Sequence, residues 1–278
     1  MYAFRKPFTA ASYGDIDAKV VLVTAQILGY MLSKFVGIKV VSEVNHHRRV
    51  ALLLGLVAAA EAALVLFALT PAPYNAVWLF CNGLPLGMVF GLVLGFLEGR
   101  RHTEALTAAL CSSFIIADGV TRSVGAALLD RGISEAWMPA LAGLLFAPAL
   151  LFFAWMLTRI PRPSREDVAA RSERAPMTRA ERWAFFRRYA PGLTLLVLVY
   201  LLITILRSVR SDFSREIWAG LEDAVPASTY AWSEIIVGIV APLAMAPLVL
   251  LVDNRRAFLC GLALSILGAL LVGAVLLL

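Results

Sequence analysis

The sequence predicts an all-α, multi-pass membrane protein made of helical bundles. Three observations carry that expectation. Hydrophobic residues fill 60% of the 278 positions and charged residues only 16%. The mean hydropathy is +0.81, and a soluble domain of this length needs more charge on its surface. Apolar runs of about 18 residues or more recur, each long enough to cross a hydrocarbon core of roughly 30 Å. The stretches between them alternate between basic and neutral or acidic, as expected of a chain that threads a bilayer repeatedly.

Spans are expected at 19–42, 50–70, 76–98, 104–129, 136–158, 191–212, 229–252 and 257–278. Residues 1–12 read as the last third of another helix, closed by the turn-like SYGDID. The sequence stops on GALLVGAVLLL with no polar tail. The expectation is about nine transmembrane helices, the first clipped, in a piece of a longer protein.

Loop charge orients the spans. His46, His47, Arg48 and Arg49 follow one span; Arg100, Arg101 and His102 another; Arg255 and Arg256 a third. The connection 159–190 carries nine Arg against four acids. The alternate connections are TPAPYNA at 70–76, DRGISE at 130–135, and 213–228, where Glu216, Glu222 and Asp223 face Arg215. The positive-inside rule makes the first set cytoplasmic. The domains expected are a six-helix bundle over 1–158 (its first helix partial), a cytoplasmic Arg-rich linker over 159–190, and three helices of an incomplete second bundle over 191–278. Thr178 and Glu181 stand at capping-box spacing before WAFFRRY. That end of the linker reads either as a short interfacial helix or as a solvated basic loop.

Composition also excludes. The net charge of +6 is spread over loops and does not suggest nucleic-acid binding. Cys81, Cys111 and Cys260 lie far apart in apolar stretches and read as small hydrophobes, without a disulfide framework or metal-ligand spacing. No basic-then-apolar leader with a small-residue cleavage site opens the chain. No Ser/His/Asp set or phosphate-cradling loop is present, so no enzymatic activity and no cofactor are expected. Gly83, Gly87, Gly91 and Gly95 recur every four residues and predict a close-packing helix face.

Charges inside the spans are the candidate functional residues, because an ionisable group at bilayer depth is costly. Arg5 and Arg207 start at similar depth, one on each side of the linker. Two Arg forks facing one cavity would suit an oxyanion; the alternative is snorkelling to the outer headgroups. Lys34 is too deep to snorkel and must face a wet cavity or pair with a carboxylate. Asp118 and Arg122, four apart on a helix rich in Ser and Thr, form an internal pair or line the cavity. Glu61 is read as a partner for a buried cation or as a carboxyl that carries a proton. Glu234 could pair with Arg207, and Asp212 completes the coupling or ion-pair set.

Several segments resemble the organophosphate:phosphate antiporters of the major facilitator superfamily. MYAFRKPFTAA resembles their first-helix YxxRKxF signature, and GYMLSKFVGIKVVSE their second-helix GxSKFxxG with a following acid. LFCNGLPLGMVFG is similar to their glycine-rich fourth helix, and VYLLITILRSVRSDFS to a seventh helix with Arg and then Asp five residues on. The resemblance implies phosphate-binding roles for Arg5 and Arg207, and the second-helix lysine role for Lys34. It also departs: VNHH precedes Arg48 and Arg49 where the superfamily has an acid-and-arginine loop, with a weaker echo in VDNRRAF at 252–258. The family's fifth-helix histidine is replaced near Asp118. The superfamily has twelve helices, so three would be missing here.

The expected function is secondary active transport of a small organic anion, phosphorylated metabolites and phosphate included. A non-transporting sensor or interaction protein on the same fold is the alternative. The expected setting is a cell membrane, the bacterial inner membrane in particular. The partners are the lipid bilayer and a small anionic solute; the full-length protein is expected to be a monomer.

Overall fold

A computed structural model describes residues 1–44, 46–97, 103–161, 166–167, 178–220, 225–247, 251 and 253–277. Arg100, Arg101, His102, Glu222, Asp223 and part of the expected linker (162–165 and 168–177) lie outside the described residues. The described residues are mostly helical, with no strand among them. The helices are α1 (Ile16–Glu43), α2 (His46–Leu69), α3 (Ala76–Leu97), α4 (Thr103–Asp130), α5 (Met138–Thr158), α6 (Arg179–Asp212), α7 (Ser214–Ala219), α8 (Ser228–Met245) and α9 (Asn254–Leu276).

The start of the chain corrects the expectation of a helix end. Residues 1–12 form two 3-10 turns, Tyr2–Phe4 and Pro7–Ala10. Pro7 lacks the N–H that an α-ladder needs and disfavours the α conformation before it. The turns are nonetheless deep in the molecule: Phe4 is 3% exposed, Phe8 1% and Ala11 0%. A corner follows, with Tyr13 at φ 58° and Gly14 at φ 92°. Glu135 accepts from the backbone N–H groups of Ser12 at 3.0 Å and Tyr13 at 2.8 Å. Burial, with the Glu135 carboxylate beside it, pushes the Tyr13 phenol well above its usual range. Asp15 then caps α1 by accepting from the Ala18 N–H at 2.7 Å.

Among the described residues, seven helices are long and apolar enough to cross a membrane: α1 over Ile16–Val41, α2 over Arg48–Leu69, α3, α5, α6, α8, and α9 over Arg255–Val275. The chain is thus an all-α protein with the makings of a multi-pass membrane protein. Not among these seven are the first segment, which is not α-helical, and α4, 28 residues long. Its mid-section carries Asp118 and Arg122 among Ser and Thr, which lowers its hydropathy but not its length.

α6 is also a correction. The expected surface helix and the expected span at 191–212 are one continuous helix of 34 residues that runs through Pro191. The Thr178–Glu181 capping box is present at its start. Apart from Ser211 and Asp212, no residue of α6 is buried. The apolar side chains of α9, such as Leu270 and Val275, are exposed likewise.

The α1–α3 pair is the tightest part of the packing. A β-carbon on Gly29 would lie 2.1 Å from the Phe80 carbonyl oxygen, and one on Gly83 2.3 Å from that of Gln26. On Gly87 it would meet the Ser33 side chain at 2.6 Å, and on Gly91 Val41 at 3.3 Å. Gly95 turns instead to α2, where Arg49 Nη1 donates to its carbonyl at 2.6 Å. Without lipid-excluded water to drive association, such backbone approach supplies the van der Waals contact that holds membrane helices together. The first turns pack into the core made by α2, α3 and α5, where Phe4 meets Leu53, Val57, Leu86 and Leu92. α4 packs against both 3-10 turns and along α8.

Candidate functional site: a cation cluster beside a buried ion network

Irregular backbone at bilayer depth needs outside partners for its carbonyls. The first segment finds them in several side chains, Asn82 foremost. Asn82 of α3, fully buried, donates from Nδ2 to the Phe4 carbonyl at 3.0 Å and to the Ala60 carbonyl at 2.9 Å. Gln26 of α1 donates to Asn82 Oδ1 at 2.8 Å and to the Arg5 carbonyl at 3.2 Å. This knot fixes the backbone around Arg5 against three helices.

Arg5, Lys34 and Arg207 then share an aromatic surround. The Arg5 guanidinium carbon lies 4.3 Å from the Tyr30 ring centroid and Lys34 Nζ 4.6 Å from the same centroid. Lys34 Nζ is also 5.9 Å from the Phe90 ring. Phe90 contacts Phe114 at 5.6 Å, and Phe114 contacts Tyr2 at 5.5 Å. Arg207 donates to the Tyr2 hydroxyl at 3.3 Å. No carboxylate among the described residues forms a salt bridge with any of the three cations.

Asp118 and Arg122 do not join that cluster. They belong to a buried ion network beside it. Arg122, 2% exposed, stands 3.5 Å from Asp118 and 3.2 Å from Glu234. It also donates to the Ser211 carbonyl at 2.9 Å and to the Ser214 hydroxyl. Ser211 donates to Asp118 Oδ2 at 2.7 Å and accepts from Lys6 at 2.9 Å. Lys6 pairs with Asp212, and Arg210 pairs with Glu234 at 2.8 Å. Further along, Lys19 holds Glu216 at 2.6 Å and the Thr9 carbonyl at 2.8 Å. Arg215 donates to the Ala10 carbonyl at 2.9 Å. The first segment is therefore stitched to residues 211–216 by three direct contacts, with Lys19 of α1 bridging Thr9 to Glu216.

Two sequence expectations need correction. Glu234 pairs with Arg122 and Arg210, not with Arg207, because Arg207 faces Tyr2 while Arg210, three residues on, reaches α8. Glu61 is no cation's partner: both its carboxyl oxygens are buried and lack a hydrogen bond. The cations it was expected to meet are held elsewhere, by Tyr30, Asp212 or Glu234. Asp212, placed in the ion-pair set, is the partner of Lys6.

A family model for DUF5690, described as a family of unknown function, matches residues 5–278. The chain belongs to that family. No curated protein and no solved structure matches it.

In this DUF5690 chain the two clusters have different chemistry. The ion network is close to self-neutralising, and its members are nearly all buried. The three cations are held by rings and a phenol and have no salt-bridged carboxylate among the described residues, although Asp118 acts on Arg207 through space. Such a group can accept a planar or tetrahedral oxyanion, with Arg supplying bidentate forks. Among the described residues no set of three His, Cys, Asp or Glu could hold a metal ion. Sequence reasoning left out Lys19, Gln26, Asn82, Ser211 and Tyr2. Asn82 and Lys19 could have been found as polar residues within apolar helices; Ser211 and Tyr2 have no such signal.

Proposed function

We propose that the chain is part of a secondary transporter that moves a small organic anion by alternating access. The scaffold would be major-facilitator-like, with 1–158 forming one bundle and the helices from α6 onward part of a second. The observation that carries the reading is the set of three cations with no salt-bridged carboxylate among the described residues, drawn from both sides of the linker. An uncompensated cation at bilayer depth is costly unless a ligand supplies the counter-charge. A thermal-shift screen of the full-length protein against sulfate, phosphate esters, carboxylates and neutral sugars tests it, because a bound ligand stabilises by mass action. Stabilisation by oxyanions and not by neutral sugars is expected; indifference to all anions removes the reading.

The second reading is a non-transporting sensor on the same scaffold. It is favoured by Asp118 and Arg122, which sit in a closed network and not in the cation cluster. Flux into proteoliposomes of whichever anion stabilises the protein separates the two: binding without flux supports the sensor.

A further inference from the structure

Helix α6 is longer than a bilayer needs. Its 34 residues extend about 50 Å at 1.5 Å per residue, whereas a hydrocarbon core of roughly 30 Å takes about 20 residues. The Asp212 end is held inside the molecule by Lys6. Counting about 20 residues back from there puts the other edge of the hydrocarbon near Leu193. Chemistry puts it at the same level: no charged side chain stands between Ala190 and Leu206, and Arg187 and Arg188 come just before that run. Residues 179–192 thus emerge into the headgroup layer and the water beyond it.

The emerging stretch is basic and aromatic together. Arg179, Arg182, Arg187 and Arg188 stand against one acid, Glu181, which serves the helix cap with Thr178. All four arginines are exposed, and no carboxylate among the described residues pairs with them. Trp183, Phe185, Phe186 and Tyr189 are exposed as well, and with the last two arginines they form two units. Trp183 stacks on Phe186 at 5.6 Å, with Arg187 over it at 5.7 Å. Phe185 meets Tyr189 at 4.8 Å, with Arg188 over that ring at 5.6 Å. One turn further along, Gly192 leaves a gap: a β-carbon there would meet nothing within 4 Å. The result is a groove with Phe185, Arg188 and Tyr189 at its rim and Gly192, Leu193 and Leu196 along its floor.

We propose that this groove binds an anionic phospholipid of the surrounding membrane, with the phosphate on Arg188 and an acyl chain along Gly192–Leu196. It stands independently of the transporter reading. A guanidinium offers a phosphate two parallel N–H donors. Charge selects the lipid: four Arg less one Glu give +3 over 179–192, which attracts a net-negative headgroup and repels the cationic end of a zwitterionic one. The floor selects a lipid over a free phosphate, because an inorganic ion leaves the exposed Leu193 and Leu196 uncovered.

Native mass spectrometry of the full-length protein, titrated in neutral detergent with phosphatidylglycerol and phosphatidylcholine of identical chains, tests this. The wild type is expected to bind phosphatidylglycerol several-fold more tightly. One arginine at a membrane surface contributes about fivefold for an anionic lipid, so Arg188→Gln should lose about that much of the preference. Gly192→Leu changes no charge and should weaken both lipids by filling the gap. Arg255→Gln removes the same charge from another exposed arginine, on α9, and should leave the preference intact. All three positions are exposed, so the variants keep the packing of the core. A wild type indifferent to headgroup charge overturns the proposal. Equal losses in Arg188→Gln and Arg255→Gln also overturn it, since they mean diffuse attraction without a groove. Inorganic phosphate that competes fully with the lipid, together with a silent Gly192→Leu, gives the site to a free ion. A dimer that Arg188→Gln dissolves gives the face to a second copy of the chain. Either result overturns the lipid assignment.

Discussion

Arg5 and Lys34 share a single aromatic ring: their cationic centres lie 4.3 Å and 4.6 Å from the Tyr30 centroid. The ring's negative face partly offsets two like charges that otherwise repel. Cation–π contacts contribute about 0.5–2 kcal/mol each, more when desolvated. Tyr30→Leu should therefore weaken sulfate binding by roughly 2–30-fold, while Tyr30→Phe stays close to wild type. Calorimetry on both variants checks it; equal losses would show that the hydroxyl, not the ring face, matters.

Arg207 and Arg5 offer a second measurement. A charge-assisted hydrogen bond contributes roughly 1.5–3 kcal/mol, so Arg207→Lys, which keeps the charge but loses the fork, should lower anion affinity about tenfold or more. Arg5→Lys should act alike, and the double variant should lose less than the sum because both forks hold one ligand. Unchanged affinity in both single variants would return these arginines to headgroup snorkelling.

Lys6 and Asp212 are 206 positions apart and have side chains only 7% and 6% exposed. Removing one partner strands a buried charge, at a cost of about 3–5 kcal/mol. Lys6→Met and Asp212→Leu should each lower the unfolding temperature in detergent. The double variant should recover most of that loss, since an apolar pair of similar volume is often neutral or better than a buried ion pair. Additive losses would count against the pairing.

Gly83 and Gly55 make a matched comparison in helix α3 and helix α2. A methyl on Gly83 meets the backbone of α1, 2.3 Å from the Gln26 oxygen, whereas nothing lies within 4 Å of one on Gly55. Gly83→Ala should destabilise by about 1–3 kcal/mol through forced separation of the helices. Gly55→Ala should be neutral or stabilising by up to about 1 kcal/mol from helix propensity. Thermal unfolding of the two proteins decides, and equal behaviour would refute the backbone contact.

Much of the fold was legible because hydropathy and loop charge are local properties. The Gly83–Gly95 spacing gave a packing face correctly, though not that Gly95 would turn to Arg49. The opening segment misled: MYAFRK is apolar enough for a helix end, and only the physics of Pro7 decides for 3-10 turns. At the site, Arg5, Lys34 and Arg207 stood out by charge alone. Their aromatic surround did not, since Tyr2, Tyr30, Phe90 and Phe114 look like any membrane aromatics until four elements come together. The Lys6–Asp212 and Arg122–Glu234 pairs span 206 and 112 positions, and no periodicity encodes such distances.

The glycine contacts between α1 and α3 have a mechanical consequence. Two helices joined at backbone distance along several turns cannot slide or tilt independently without breaking many contacts at once. Tyr30 and Lys34 on one and Phe90 on the other therefore behave as a fixed jaw. Arg207 rides on α6, whose length is almost bare of protein neighbours and whose far end alone is tethered. Under the transporter reading proposed above, opening and closing around an anion would fall to α6, which carries Arg207 and is buried only at Ser211 and Asp212.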